Sequence, residues 1–224
     1  MSAPVLGFDV YGTLIDTAGV AASLDRMLPG RGAAFAAAWR QKQLEYTFRR
    51  AAMRAYRGFD VCTRAALDYT DAAFGGELSE AQKTELMAEY RRLPAFPDAR
   101  AALDGLKDTG ARLLAFSNGL AEDVHALLEH AGIRGHFEDI VSVDEIRSFK
   151  PASAVYMHFI SRACVTCDNC WLVSSNPFDV IGAVSCGMRA AWVRRSAANI
   201  FDPWELEPTV VISDLSQLAA AVAA

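Results

Sequence analysis

The chain has 224 residues, 52% of them apolar and 22% charged, with a formal net charge of −5. That length and apolar content suit one core domain carrying an insertion, and they exclude disordered and fibrous classes. The acidic balance argues against nucleic acid or an anionic membrane surface as partner, and no apolar run reaches transmembrane length. The opening Met1-Ser2-Ala3-Pro4 lacks the basic and apolar regions of a signal peptide, so a cytoplasmic setting is expected. There are five cysteines, an odd number, which such a setting would keep reduced. Cys164, Cys167 and Cys170 imitate part of a zinc or iron–sulfur spacing but have no fourth ligand nearby. Cys170 also opens a strand-like run, so packing rather than metal binding is expected.

Taken in chain order, the first element is the apolar run Val5 to Phe8, a short buried strand ending abruptly in Asp9 and the turn Val10-Tyr11-Gly12-Thr13. At the carboxyl end of such a strand, Asp9 is either a chemical group in a ligand crevice or a cap on the following turn. From about Ala18 to Tyr90 the periodicity is helical: Val20 to Met27, Ala33 to Tyr56, Val61 to Phe74 and Glu80 to Tyr90. Pro29-Gly30, Arg57-Gly58 and Gly75-Gly76 punctuate these helices.

Beyond Pro94-Ala95-Phe96-Pro97 the pattern alternates. Strands are expected at Ala111 to Phe116, Ile140 to Val143, Trp171 to Val173, Arg189 to Val193 and after Thr209, with a helix ahead of each of the first four and a last helix ending near Ala223. Alternation of this kind implies a Rossmann-like parallel sheet covered by helices. The opening strand has no partner in the helical stretch and must join that sheet. Residues 1–16 and 94–224 therefore form an α/β core, and residues 17–93 form an inserted helical-bundle cap.

Several strand ends carry polar groups. Ser117-Asn118-Gly119 follows one strand and opens a helix, as an ordinary N-cap or an anion site would. Ser174-Ser175-Asn176-Pro177-Phe178-Asp179 follows another and has more polar groups than a cap needs. Lys150 precedes Pro151 in a loop that can reach the same edge. Asp9, Ser117 and Asn176 or Asp179 should converge there, and an ammonium beside Asp9 suits a carboxylate serving as nucleophile. In the helical stretch, Arg40 shares a face with Ala36, Leu44 and Phe48. Without further information its partner is expected to be Asp68 or Glu45.

These segments together resemble the haloacid dehalogenase superfamily, and within it the L-2-haloacid dehalogenases, over essentially the whole chain. The superfamily's four motifs appear in order as Asp9-Val10-Tyr11-Gly12-Thr13, Ser117-Asn118-Gly119, Lys150-Pro151 and Ser174-Ser175-Asn176-Pro177-Phe178-Asp179, and Trp39-Arg40-Gln41-Lys42-Gln43-Leu44-Glu45-Tyr46 is similar to the dehalogenase cap. Phosphatases of the superfamily carry a second Asp two residues after the nucleophile and bind magnesium; here Tyr11 stands in that place.

The resemblance implies hydrolysis of short L-2-haloacids to D-2-hydroxy acids without cofactor or metal. In it Asp9 is the nucleophile, and Asp179 activates water. Lys150, Ser174, Asn176 and Thr13 position the carboxylates. Ser117 and nearby backbone N–H groups would hold the substrate carboxylate. Arg40, Asn118 and Phe178 would cradle the halide, Tyr11, Leu44 and Phe59 would wall the alkyl group, and Tyr156 would support. A homodimer through the cap is also implied. The alternatives are opening of a strained ring beside a carboxylate, as in azetidine-2-carboxylate, a magnesium phosphatase, and a non-catalytic binding module that keeps the fold. Halide release from L-2-chloropropionate separates the dehalogenase from the ring-opening hydrolase, chelator-sensitive hydrolysis of a phosphate ester would mark the phosphatase, and loss of halide release in Asp9→Asn would exclude the binding module.

Overall fold

The computed structural model describes residues 4–223; residues 1–3, expected in the core segment and at the N-terminus, and Ala224 lie outside the described residues. Six strands form one parallel sheet: β1 (Val5–Asp9), β2 (Arg112–Ser117), β3 (Asp139–Ser142), β4 (Cys170–Ser174), β5 (Arg189–Val193) and β6 (Val210–Ile212). Their order is β3-β2-β1-β4-β5-β6. The chain thus winds outward from β1 in one direction and then, from β4, in the other. The crevice beyond the carboxyl ends of β1 and β4 lies at this reversal, where ligands bind in open α/β sheets.

The strands read as apolar runs because helices cover them. All five residues of β1 and of β4 are buried. Gly7 has no side chain because the ring of Phe159 lies against β1; a Cβ there would stand 2.4 Å from it. Helices α5 (Ala99–Leu106), α6 (Ala121–His130), α7 (Ser153–Ala163) and α8 (Pro177–Ser185) each precede one of the strands β2 to β5, and α9 (Leu218–Ala223) follows β6. Helix α5 packs with α9, and α7 with α8.

Between β1 and α5 run four helices with no strand among the described residues: α1 (Val20–Met27), α2 (Gly32–Ala52), α3 (Phe59–Ala73) and α4 (Glu80–Tyr90). Helix α2 packs on α1 and α3, and α4 on both of those. Their shared interior holds Leu24, Phe35, Trp39, Cys62, Leu67 and Leu86. The chain leaves and re-enters the sheet region side by side. Asp16 N donates to Pro94 O at 2.9 Å and Phe96 N to Leu14 O at 2.9 Å.

One helix is shorter than its periodicity suggests. Helix α2 stops at Ala52 instead of running on to Tyr56, although no Gly or Pro intervenes. Arg54 turns into the left-handed region at φ 53°, and Arg50 Nη1 binds Ala55 O at 3.1 Å. Tyr56 leaves the helix to stack on Phe149, with ring centroids 4.9 Å apart, and its hydroxyl donates to Asp144 at 2.7 Å. This long-range packing outweighs local helix propensity.

Candidate active site

The register of β1 against its neighbours sets Asp9 beside Phe116 of β2 and one step beyond the Phe8–Val173 pair with β4. Ser117 and Ser174 therefore lie at the same edge. Beyond Asp9 the chain curls tightly: the N–H groups of Thr13, Leu14 and Ile15 all reach Val10 O, at 3.3, 3.0 and 2.9 Å. Gly12 makes this curl possible at φ 87°, in the region that favours glycine.

The Asp9 carboxylate is 7% exposed and has donors on both oxygens. Oδ2 accepts from Thr13 Oγ1 at 2.8 Å, Asn176 Nδ2 at 2.8 Å and Ser174 Oγ at 3.4 Å. Oδ1 accepts from Lys150 Nζ at 3.1 Å. These donors are fixed in turn. Thr13 Oγ1 receives the Ser175 N–H at 2.8 Å, Ser174 Oγ receives the Asn176 N–H at 3.1 Å, and Ser175 Oγ donates to Gly12 O at 2.7 Å. The turns after β1 and β4 are thus tied together, which holds the carboxylate against rotation.

Lys150 is 1% exposed and uses its three protons on Asp9, Phe116 O at 2.9 Å and Asp179 Oδ2 at 2.8 Å. Burial alone pushes its ammonium down, but Asp179 and Asp9 outweigh that and hold its pKa above the usual lysine value. Asp179, fully buried in the first turn of α8, also accepts from Tyr156 Oη at 2.8 Å. Burial raises its pKa; Lys150 pulls the other way, and the Asp9 charge adds to the rise. Such a carboxylate is a stronger base than an exposed one.

Asn118 is placed by its own oxygen: Oδ1 accepts the Lys150 backbone N–H at 3.0 Å, which leaves its NH2 as the donor end. Ser117 Oγ accepts the Gly119 N–H at 3.0 Å and keeps its own proton to give. The Tyr11 ring lies between Phe59 and Tyr90, with centroids 5.3 and 5.5 Å away. Burial pushes its phenol far above the usual range, so it is no acid at neutral pH.

Arg40 does not take the carboxylate partner expected of it. Asp68 pairs with Arg64 and Lys83, and Glu45 with Lys42 and Arg49. Arg40 instead donates to Gln43 Oε1 at 2.7 Å and, at 3.4 Å, to Tyr11 O. Eight residues on, along the same face of α2, Phe48 meets Phe178 edge to face at 5.0 Å. Arg40 and Phe48 thus reach Tyr11 and Phe178 from one helical face, and the helical repeat sets half-buried Leu44 between them.

All the proposed site residues except Leu44 have a contact tying them to this edge. Several residues that position them were not among those expected from the sequence. Gln43 is fully buried and accepts Arg40 and, at 3.1 Å, the Tyr90 hydroxyl, while donating to Thr63 Oγ1 at 2.6 Å. Arg195 donates to Thr13 O at 2.5 Å and to Asp98 at 2.6 Å, and Trp192 Nε1 to Ser175 O at 3.2 Å. Only Gln43, as the polar residue at the step after Arg40 on an amphipathic helix, could have been suspected.

A model of haloacid dehalogenase-like hydrolases matches residues 4–187. The chain belongs to that family. It is 37% identical over 190 residues, 85% of each chain, to haloacetate dehalogenase H-2 of Moraxella sp. (strain B). It is 34% identical over 221 residues to an (S)-2-haloacid dehalogenase of Pseudomonas sp. (strain YL), covering 96% of this chain and 95% of the relative. Among solved structures, the L-2-haloacid dehalogenase of Xanthobacter autotrophicus with chloropropionic acid covalently bound matches with a TM-score of 0.91 and 33% identity, covering 99% of both chains. The parallel sheet with its reversal at β1 is therefore the haloacid dehalogenase-like fold.

The five cysteines are free, and among the described residues no group of three or more His, Cys, Asp or Glu is arranged to hold a metal. Cys170 is buried at the start of β4, where burial pushes its thiol up to about 12. No helix among the described residues is long and apolar enough to cross a membrane.

Proposed function

We propose that this family member is an (S)-2-haloacid dehalogenase, hydrolysing short L-2-haloacids to D-2-hydroxy acids and halide. The observation that carries this reading is the pairing of an Asp9 carboxylate held on both oxygens with a buried aromatic Tyr11 two residues on. A leaving alkoxide would need an acid at that place; a leaving halide needs none.

An Asp9 oxygen attacks carbon-2 from the face opposite the halogen. The new C–O bond forms as the carbon–halogen bond gives its electron pair to the halide, which leaves an ester of inverted configuration. Ser117, with backbone N–H groups near Tyr11 and Asn118, holds the substrate carboxylate, and Tyr11, Leu44 and Phe59 enclose the alkyl group. The departing halide meets the Arg40 guanidinium, the Asn118 NH2 and the positive edge of Phe178. Water then attacks the carboxyl carbon of Asp9, losing its proton to Asp179. Collapse expels the substrate oxygen, which takes the proton from Asp179 as it leaves, so the hydroxy acid departs with its inverted centre intact; the Asp9 carboxyl then loses its own proton to solvent and is a carboxylate again. Lys150 stays charged throughout, bridging nucleophile and base, and Tyr156 fixes the base.

A divalent cation does not suit this donor set. The Asn176 NH2 already bridges Asp9 Oδ2 and, at 3.4 Å, Tyr11 O, and the Lys150 ammonium lies between Asp9 and Asp179. The reading therefore takes the reaction as metal-independent. It treats residues 17–93 as a cap domain inserted in a core of residues 1–16 and 94–224. It also includes a homodimer through that cap, where the apolar side chains of Val61 and Tyr69 are exposed on α3, and a cytoplasmic setting, which suits five free thiols.

The test is halide release from fluoro-, chloro- and bromoacetate and from both enantiomers of 2-chloropropionate. The L enantiomer should release chloride and yield D-lactate, and the D enantiomer should be inert. No halide from any of them would overturn the reading.

A further inference from the structure

Outside the catalytic cluster, a cleft of about 340 Å³ is lined by Arg50, Arg54, Ala55, Tyr56, Arg57 and Arg147. Three of its four guanidinium groups come from the end of α2 and the connection to α3; the fourth comes from the loop after β3. None of the four forms an ion pair among the described residues, although acids outnumber bases in the chain as a whole. The Asp144 carboxylate borders the cleft through the hydrogen bond it accepts from the Tyr56 hydroxyl. Four like charges that form no ion pair repel one another, and the single Asp144 carboxylate at the Tyr56 hydroxyl offsets only part of that charge, so the cleft suits an anion.

The backbone points the same way. Three non-glycine residues in the described chain have positive φ, and two of them, Arg54 at 53° and Arg147 at 52°, line this cleft. A glycine would relieve each turn, yet each carries an arginine.

The cleft adjoins the site walls. Tyr56 stacks on Phe149, the residue before Lys150, while the Arg147 guanidinium lies 5.4 Å from the Tyr56 ring. Gly58 faces Leu120 across a 4.0 Å gap from its absent Cβ, and Phe59 packs on Tyr11.

We propose that this arginine cleft is an outer collecting site for monocarboxylate anions, which concentrates the haloacid beside the catalytic chamber of a protein whose net charge would otherwise repel it. The inference rests on the dehalogenase reading for its substrate, but not for its binding event.

The test uses the full-length protein and a triple variant, Arg54→Gln with Arg57→Gln and Arg147→Gln. A control triple removes the same charge elsewhere, through Arg100→Gln, Lys107→Gln and Arg189→Gln. In the wild type and the control, kcat/KM for L-2-chloropropionate should fall about tenfold as ionic strength rises from about 0.01 to about 0.3 M. In the cleft variant, kcat/KM should start about tenfold lower at low salt and change by less than about twofold, with kcat unaltered. Equal salt dependence in wild type and cleft variant, equal flattening in the control, or a loss confined to kcat would each overturn the proposal.

A second readout needs no turnover. Propionate titrated into the wild type should shift the arginine Nε–H NMR signals assigned to the cleft, and the cleft variant should lose those shifts. Propionate shifts without halide release would leave the cleft standing and sink the dehalogenase reading. Halide release with no propionate shift at the cleft arginines would do the reverse.

Discussion

Lys150 Nζ lies 3.1 Å from Asp9 Oδ1 and 2.8 Å from Asp179 Oδ2, so one ammonium spans the proposed nucleophile and the proposed base. Its side chain is buried along with both carboxylates. Lys150→Met keeps the aliphatic stem but leaves two carboxylates facing each other without a counter-charge. Removing one partner of a buried ion pair costs about 3–5 kcal/mol. Urea denaturation at neutral pH should show a loss of that size, and halide release should vanish.

As the proposed base, Asp179 should set the acid side of the pH profile. Burial raises its pKa, so its conjugate acid persists to higher pH than an exposed aspartate's. The base must be ionised, hence kcat should fall as pH drops through that raised value. Stability moves oppositely: the folded state holds this proton more tightly than the unfolded one, so between the ordinary aspartate value and the raised one this group's contribution grows as pH falls. The Tyr156 hydroxyl favours the charged form by donating to it. Tyr156→Phe should therefore shift the acid limb of kcat upward in pH, a displacement read from stopped-flow halide assays.

Gly182 offers an independent route to the same group. A Cβ at this position would stand 2.4 Å from the Tyr156 hydroxyl oxygen. Gly182→Ala should displace that ring, lowering stability by about 1–3 kcal/mol through overpacking. Its acid limb should shift in the same direction as in Tyr156→Phe. An unshifted limb would separate Tyr156 from the titration of Asp179.

Arg40 carries no acid partner among the described residues, and it donates to Gln43 Oε1. Arg40→Met should lower kcat by about 10²–10³, as loss of a donor to a developing anion does, with chloride affected more than bromide. Gln43→Leu also deprives the Tyr90 hydroxyl of its acceptor and Thr63 of its donor. It should cost about 1–3 kcal/mol in thermal or urea unfolding. Its kcat loss should be smaller than that of Arg40→Met, because the guanidinium remains present but less fixed.

Strand ends were the legible part of this sequence. Asp9, Ser117 and Ser174 each follow an apolar run, and a parallel sheet carries all such ends to one edge. Helices α1 and α4 match their periodicity from end to end, whereas α2 stops four residues early because Tyr56 finds its partners 88 and 93 positions away, at Asp144 and Phe149. The same limit hid the support of the site. Arg195 reaches Thr13 O across 182 residues, and Trp192 reaches Ser175 O from the neighbouring strand. Local pattern carries no sign of such contacts. Read without the resemblance, Arg40 is expected to pair with Glu45 or Asp68, but both are engaged by other cations, so the acid partner falls away and its place at the site edge stands.

The central claim is that Asp9 itself forms the ester and that water enters at its carboxyl carbon. A single turnover in H₂¹⁸O, with enzyme in excess over L-2-chloropropionate, tests it most directly. Mass spectrometry of the Asp9 peptide should find the label in its carboxylate, and the D-lactate of that turnover should be unlabelled. Label in the lactate with an unlabelled Asp9 would contradict the account and assign the displacement to water.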